Sequence, residues 1–139
     1  MTIACRTELR VRYAEVDQMG AVNSARYFEW FELGRIELLR QAGVPYPDLE
    51  KRGVMLPVVA AHCDYLVRLG YDEIVSVETS LALLSPARLR FDFRVLRREG
   101  AAQVVAAAGF TENAVVGPNG KPMRLPADVE KALGGSRKT

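Results

Sequence analysis

Polar and apolar residues alternate with a period of two along Glu8-Leu9-Arg10-Val11-Arg12-Tyr13, the pattern of a strand with one buried face. The period then changes. From residue 25 to 42, at about 100° per residue, Tyr27, Phe28, Phe31, Leu38, Leu39 and Ala42 share one face, while Trp30, Leu33 and Ile36 spread around the other side. That distribution predicts one long helix wrapped on more than one side. Arg35 shares the main apolar face and needs a carboxylate or backbone carbonyls as partner. Gly34 costs a helix roughly 1 kcal/mol relative to Ala, which a close approach to neighbouring backbone would explain. Gly43 suits the left-handed position that ends a helix, and Pro45 cannot continue one. Residues 47–53 read as one or two further helical turns. Four strand-like runs follow, at 55–68, 73–84, 88–98 and 101–116, punctuated by Gly70, Ser85-Pro86 and Glu99-Gly100. Their short connections predict an antiparallel meander, with Pro57 at the start or edge of its strand because it has no N–H to give. Gly117-Pro118-Asn119-Gly120 is a turn, and residues 127–133 form a last helix.

The elements add up to an α+β fold, an antiparallel five-stranded or slightly larger sheet wrapped around one long central helix. Residues 1–134 form a single domain, and 135–139 a flexible tail. One small sheet leaves an edge strand open, so two copies are expected to pair, giving a dimer or tetramer.

Composition narrows the function classes. A chain of 139 residues, 49% hydrophobic and 26% charged, can bury a core without metal or disulfide. Cys5 and Cys63, far apart, read as free thiols, and the first residues contain no apolar signal core, so a cytoplasmic location is expected. No run approaches a membrane span. A net charge of +2 is too small to imply nucleic acid, although 15 of the 19 basic residues are arginine, the side chain suited to anionic ligands. The sole histidine, His62, shares a strand face with Val58 and Ala60 by alternation and reads as packed or interfacial. No further ligands stand at a spacing that would hold a metal, and no cofactor is implied.

Candidate chemistry gathers where the first strand gives way to the long helix, through Asp17, Gly20 and Asn23-Ser24. Asn23 and Ser24 can cap a helix starting near Ala25, which sets Asp17 just before a helix N-terminus. The first N–H groups of a helix have no internal partner and stabilise a developing oxyanion. Asp17 beside them suits acyl chemistry; it also suits a plain turn-capping role.

The run Val11-Arg12-Tyr13-Ala14-Glu15-Val16-Asp17-Gln18-Met19-Gly20, with Tyr27 through Arg35, Gly53-Val54 through Val59 and Arg124-Leu125-Pro126, resembles hotdog-fold acyl-CoA thioesterases of the 4-hydroxybenzoyl-CoA thioesterase type. The resemblance covers nearly the whole chain. It implies hydrolysis of an acyl-CoA thioester, with Asp17 as nucleophile or general base. Backbone N–H of Ser24 and of Ala25 would be the oxyanion donors. It further implies an acyl pocket near Asn23, Tyr27, Val59, Ala60 and Ala61, and coenzyme A phosphates held by Arg88 and Arg90. Asn23, Ser24 and Asn113 depart from the tyrosine and histidines that many relatives carry at these places. A hotdog dehydratase would want a histidine near the helix start, which His62 does not supply. The alternative from another class is a non-catalytic acyl-CoA-binding or scaffold protein.

Overall fold

The computed structural model describes residues 3–134; the expected tail, 135–139, lies outside them. Strand β1 (Ile3–Arg10) alternates half-buried and exposed along its whole length, beginning before the alternation at residues 8–13 suggests. The later part of that run is not strand. The Val11 N–H pairs with the Glu73 carbonyl (2.8 Å), and Tyr13–Glu15 form one 3-10 turn. Helix α1 (Arg26–Gln41) follows, then the short α2 (Tyr46–Lys51), β2 (Val58–Tyr65), β3 (Ile74–Ser85), β4 (Arg88–Glu99), β5 (Ala102–Ala114) and α3 (Ala127–Ala132). Gly43, with φ of +84°, closes α1 in the left-handed conformation.

All five strands join one antiparallel sheet in the order β1-β3-β4-β5-β2. The expected meander holds only for β3, β4 and β5. Strand β2 lies at the far edge against β5, because the connection from Leu66 to Glu73 crosses back under the helix start instead of forming a hairpin. Val22 N–H bonds the Leu69 carbonyl (2.8 Å), and Ala21 bridges to Gly70. A bulge between Val58 and Ala60 puts Val58 opposite Asn113 and Ala60 opposite Glu112. Val58 therefore does not share a face with His62, contrary to simple alternation.

Helix α1 buries Tyr27, Trp30, Phe31, Gly34, Leu38 and Leu39, while Phe28 and Leu33 stay partly exposed. The buried stripe is thus rotated toward Trp30 from the expected face. Phe31 stacks on Phe93 with ring centroids 4.3 Å apart, and Phe91, Leu89, Val77 and Val95 complete a core in which each side chain stabilises by about 1.5–3 kcal/mol. Gly34 sits at a close approach of helix and sheet. A Cβ there would overlap Thr79 Oγ1 and lie 3.1 Å from Val77 Cγ1, so side chains of β3, not backbone, demand the glycine. Arg35 also departs from expectation. Among the described residues its guanidinium has no carboxylate partner; Nη1 donates to Thr111 Oγ1 (3.5 Å) and the group lies over the Phe91 ring, 5.9 Å from the centroid.

Candidate active site

Between β1 and α1 the chain makes a small hairpin. Val16 bridges to Val22, Asp17 N–H donates to the Ala21 carbonyl (2.8 Å), and Gly20 N–H returns to the Asp17 carbonyl (3.0 Å). Gly20 has φ of +78°, a conformation that favours glycine. Asp17 Oδ1 accepts N–H from Met19 (2.9 Å) and Ala21 (3.2 Å). The other carboxylate oxygen accepts no hydrogen bond among the described residues, and the residue is exposed. Asp17 therefore braces its own turn with one oxygen and keeps the other available.

The helix start is built by Asn23. Its Oδ1 accepts the Ala25 N–H (3.0 Å), and its backbone carbonyl accepts the Arg26 N–H (2.9 Å). The Ala25 N–H is thus already engaged. The Ser24 N–H donates to no acceptor among the described residues, leaving it the uncommitted donor of the two. The Ser24 carbonyl accepts the Tyr65 hydroxyl (2.9 Å), which clasps the end of β2 to the helix start.

Asp17, Ser24 and Tyr27 face one cleft of about 390 Å³, whose other wall is Tyr65 through Leu69. Tyr27 packs between Trp30 and Tyr65, each ring centroid 4.9 Å away. Burial pushes the Tyr27 phenol up to about 12, with Cys63, Tyr65 and Glu73 adding to it, so it stands as a neutral aromatic wall at neutral pH. Arg68 lines the same cleft, its Nη2 3.5 Å from the Met19 carbonyl, with no carboxylate in ion-pair range among the described residues. Neither Arg68 nor the wall from Tyr65 to Leu69 was flagged by sequence; their proximity to Asp17 is set by strand order, which local pattern does not encode.

The remaining candidates lie elsewhere. Val59, Ala60 and Ala61 belong to the open edge strand β2, with Val59 half exposed (50%), and do not line this chain's own Asp17 cleft. Arg88 and Arg90 stand on the outer sheet face, away from the helix. Arg88 forks onto Glu112 (2.9 and 3.1 Å), and Arg90 pairs with Asp92 (3.1 Å) and lies over Phe110, 4.0 Å from its centroid. His62 is on that same face, 3.0 Å from Asp64 and stacked on Phe110. Asn113 is completely buried, donating to the Leu56 carbonyl (2.8 Å) and accepting from Thr111 (3.0 Å). A larger hollow of about 570 Å³ on the outer face, beside Ala4, Glu78 and Asp92, offers less chemistry. Its carboxylates are neutralised, Glu78 by Arg6 and Arg94 and Asp92 by Arg90. No group of three metal-ligating side chains occurs among the described residues, and none of their helices is long and apolar enough to cross a membrane.

Glu15, two residues before Asp17, is the most engaged carboxylate at the site. It is 3% exposed. Oε1 accepts the Arg12 N–H (2.8 Å), while Oε2 accepts the Trp30 indole N–H (2.9 Å) and Arg12 Nη2 (3.3 Å). Burial pushes this carboxyl up, but the Arg12 N–H, the indole and the guanidinium together outweigh it and hold it below its ordinary value.

A helix wrapped by a five-stranded antiparallel sheet is the hotdog fold, and here a carboxylate and a free N–H stand at the helix entrance. The chain belongs to the Thioesterase-like superfamily, whose family model matches residues 11–133. It is 46% identical over 74 residues to the putative acyl-CoA thioesterase YneP of Bacillus subtilis, a match covering 53% of this chain and 54% of that protein. Among solved structures, TT1821 from Thermus thermophilus is 38% identical, with 98% of this chain and 99% of that one aligned at a TM-score of 0.86. A DHNA-CoA thioesterase from Staphylococcus aureus is 29% identical, with 95% and 89% of the two chains aligned at a TM-score of 0.87.

Proposed function

We propose that this protein hydrolyses an acyl-CoA thioester to the free acid and coenzyme A. The observation that carries the proposal is the pairing, across one cleft, of the free Asp17 oxygen with the uncommitted Ser24 N–H. Asp17 attacks the thioester carbonyl to give a mixed anhydride and release the thiolate, after which water hydrolyses the anhydride to the free acid and restores the Asp17 carboxylate; or Asp17 takes a proton from water that attacks the carbonyl and expels the thiolate. Both routes build negative charge on the carbonyl oxygen, which the Ser24 N–H at the helix start is set to receive. Loss of such a donor costs about 10²–10³ in rate.

The working unit in this proposal is a dimer or a pair of dimers. Among the described residues, strand β2 bonds only β5 in the sheet and leaves its outer edge unpaired, with Val58, Val59 and Tyr65 exposed, which supports pairing with a second copy. Val59, Ala60 and Ala61 then meet the acyl group from the partner subunit. Arg88 and Arg90 reach the coenzyme phosphates, exchanging Glu112 and Asp92 for the ligand. Placement within the 4-hydroxybenzoyl-CoA type belongs to the same proposal and rests on the motif at residues 11–20.

Thiol release from benzoyl-, phenylacetyl-, short- and long-chain acyl-CoA esters, measured on wild type and Asp17→Asn together, tests it. Turnover that vanishes with Asp17 is expected. Ester binding without turnover by the wild type would refute the enzymatic reading and favour an acyl-CoA-binding protein.

A further inference from the structure

The proposed hydrolysis needs Asp17 and the helix-start N–H at a fixed separation, yet they sit apart, on an exposed hairpin and on the turn that leads into α1. Besides the Arg26 guanidinium, whose Nη2 donates to the Ala14 carbonyl (3.3 Å), one buried side chain joins the two. Through its carboxylate Glu15 binds Trp30 in the second turn of α1 and the Arg12 backbone, where β1 leaves the sheet. Through its own backbone carbonyl it accepts the Asn23 N–H (2.9 Å), one residue before Ser24. Asp17 follows two residues later. Anchorage alone would not call for a charge, since a buried ionised group is no more stabilising than a well-packed apolar one. A carboxylate does something an apolar side chain cannot. It fixes two donors on separate elements at hydrogen-bond distance, and so fixes the hairpin relative to the helix.

We propose that Glu15 is a positioning residue for the hydrolytic site, setting the distance between the Asp17 carboxylate and the Ser24 N–H. The inference rests on the thioesterase reading. Glu15→Gln keeps the shape but replaces one acceptor oxygen by an NH₂ group, so either the Arg12 N–H or the Trp30 N–H loses its acceptor. With the fold and assembly of the wild type intact, kcat falls about 10–100-fold while KM stays within about twofold, because misplacement of roughly 1 Å is felt in the transition state more than in binding. Trp30 is the one tryptophan in the chain, so its indole N–H gives a single NMR resonance. In the wild type that proton is downfield and slow to exchange; in Glu15→Gln it moves upfield and exchanges faster.

Wild-type kcat in Glu15→Gln overturns the proposal, whether or not the indole resonance moves, and so does an increase confined to KM. Should Glu15→Gln fail to fold, Trp30→Phe removes the helix side of the tie and keeps Glu15 on Arg12. A kcat about 10-fold lower with KM unchanged is then expected, and an unchanged kcat overturns the proposal. Absence of thioester turnover in the wild type marks the other failure, that of the thioesterase reading itself, and the positioning role falls with it.

Discussion

Replacing Gly34 by alanine places a methyl group in a close contact between α1 and β3. The new Cβ overlaps Thr79 Oγ1 and lies 3.1 Å from Val77 Cγ1 and 3.6 Å from Phe93 Cε1. Thr79 is β-branched and buried in the middle of β3, between β1 and β4, so it has little freedom to rotate away. Overpacking of this kind costs about 1–3 kcal/mol, and the rigid neighbour puts the cost at the upper end. Alanine returns about 1 kcal/mol of helix propensity. The net loss is therefore about 2 kcal/mol, which at a urea slope of about 2 kcal/mol/M lowers the unfolding midpoint by about 1 M. Thr79→Ala removes the clashing oxygen, an atom with no hydrogen-bond partner among the described residues. The double variant should recover much of the loss, with a coupling of about 1–2 kcal/mol in the mutant cycle. Urea unfolding at one fixed protein concentration measures all four chains. A Gly34→Ala midpoint at or above wild type, or strictly additive single changes, would refute the contact as the reason for glycine.

Asn113→Ala leaves the Leu56 carbonyl and the Thr111 hydroxyl without their partner in the core, a loss of about 2–3 kcal/mol readable in the same urea assay. Glu15 adds a pH dependence. Its carboxyl titrates lower in the folded than in the unfolded chain, so its stabilisation is complete above the unfolded value of about 4.3 and is lost as pH falls through the lower folded value. The stability difference between wild type and Glu15→Gln therefore shrinks below about pH 4, and a constant difference down to about pH 2 would contradict the assignment.

Much of the fold could be read from local pattern because the signals were local. Period-two and helical periodicity, Gly43 before Pro45, and Pro57 at the mouth of its strand each act within a few residues. Strand order is not of that kind. Nothing near β2 says that it pairs with β5 and not β3, and the wall opposite Asp17, from Tyr65 to Leu69, depends on that choice. Arg35 misled for a related reason: its Thr111 partner comes from a strand far along the chain, and an aromatic face took the place of a carboxylate. At the site, Asp17 and Ser24 stood out because a turn and a helix start are sequence-local, whereas no local pattern sets Glu15 apart from Glu29 and Glu32. Its meeting with Trp30 is a tertiary contact, and only burial distinguishes it from Glu29, which pairs with Arg26 at the surface.

Asp17 carries two duties on two oxygens, and two substitutions separate them. Asparagine retains Oδ1, which continues to accept from Met19 and Ala21, and removes the negative charge that attack or proton abstraction requires. Alanine removes both. The turn it leaves is exposed, so water replaces the lost acceptor and the cost is that of a net hydrogen bond to a charged group, about 1.5–2 kcal/mol. Asp17→Asn should thus unfold within about 0.5 kcal/mol of wild type, Asp17→Ala about 1.5 kcal/mol earlier, and neither should turn over thioester. Equal stability of the two variants would mean that Oδ1 does not hold the turn. Substantial turnover by Asp17→Asn, in a chain that folds as well as wild type, would mean that the chemistry belongs to another group in the cleft.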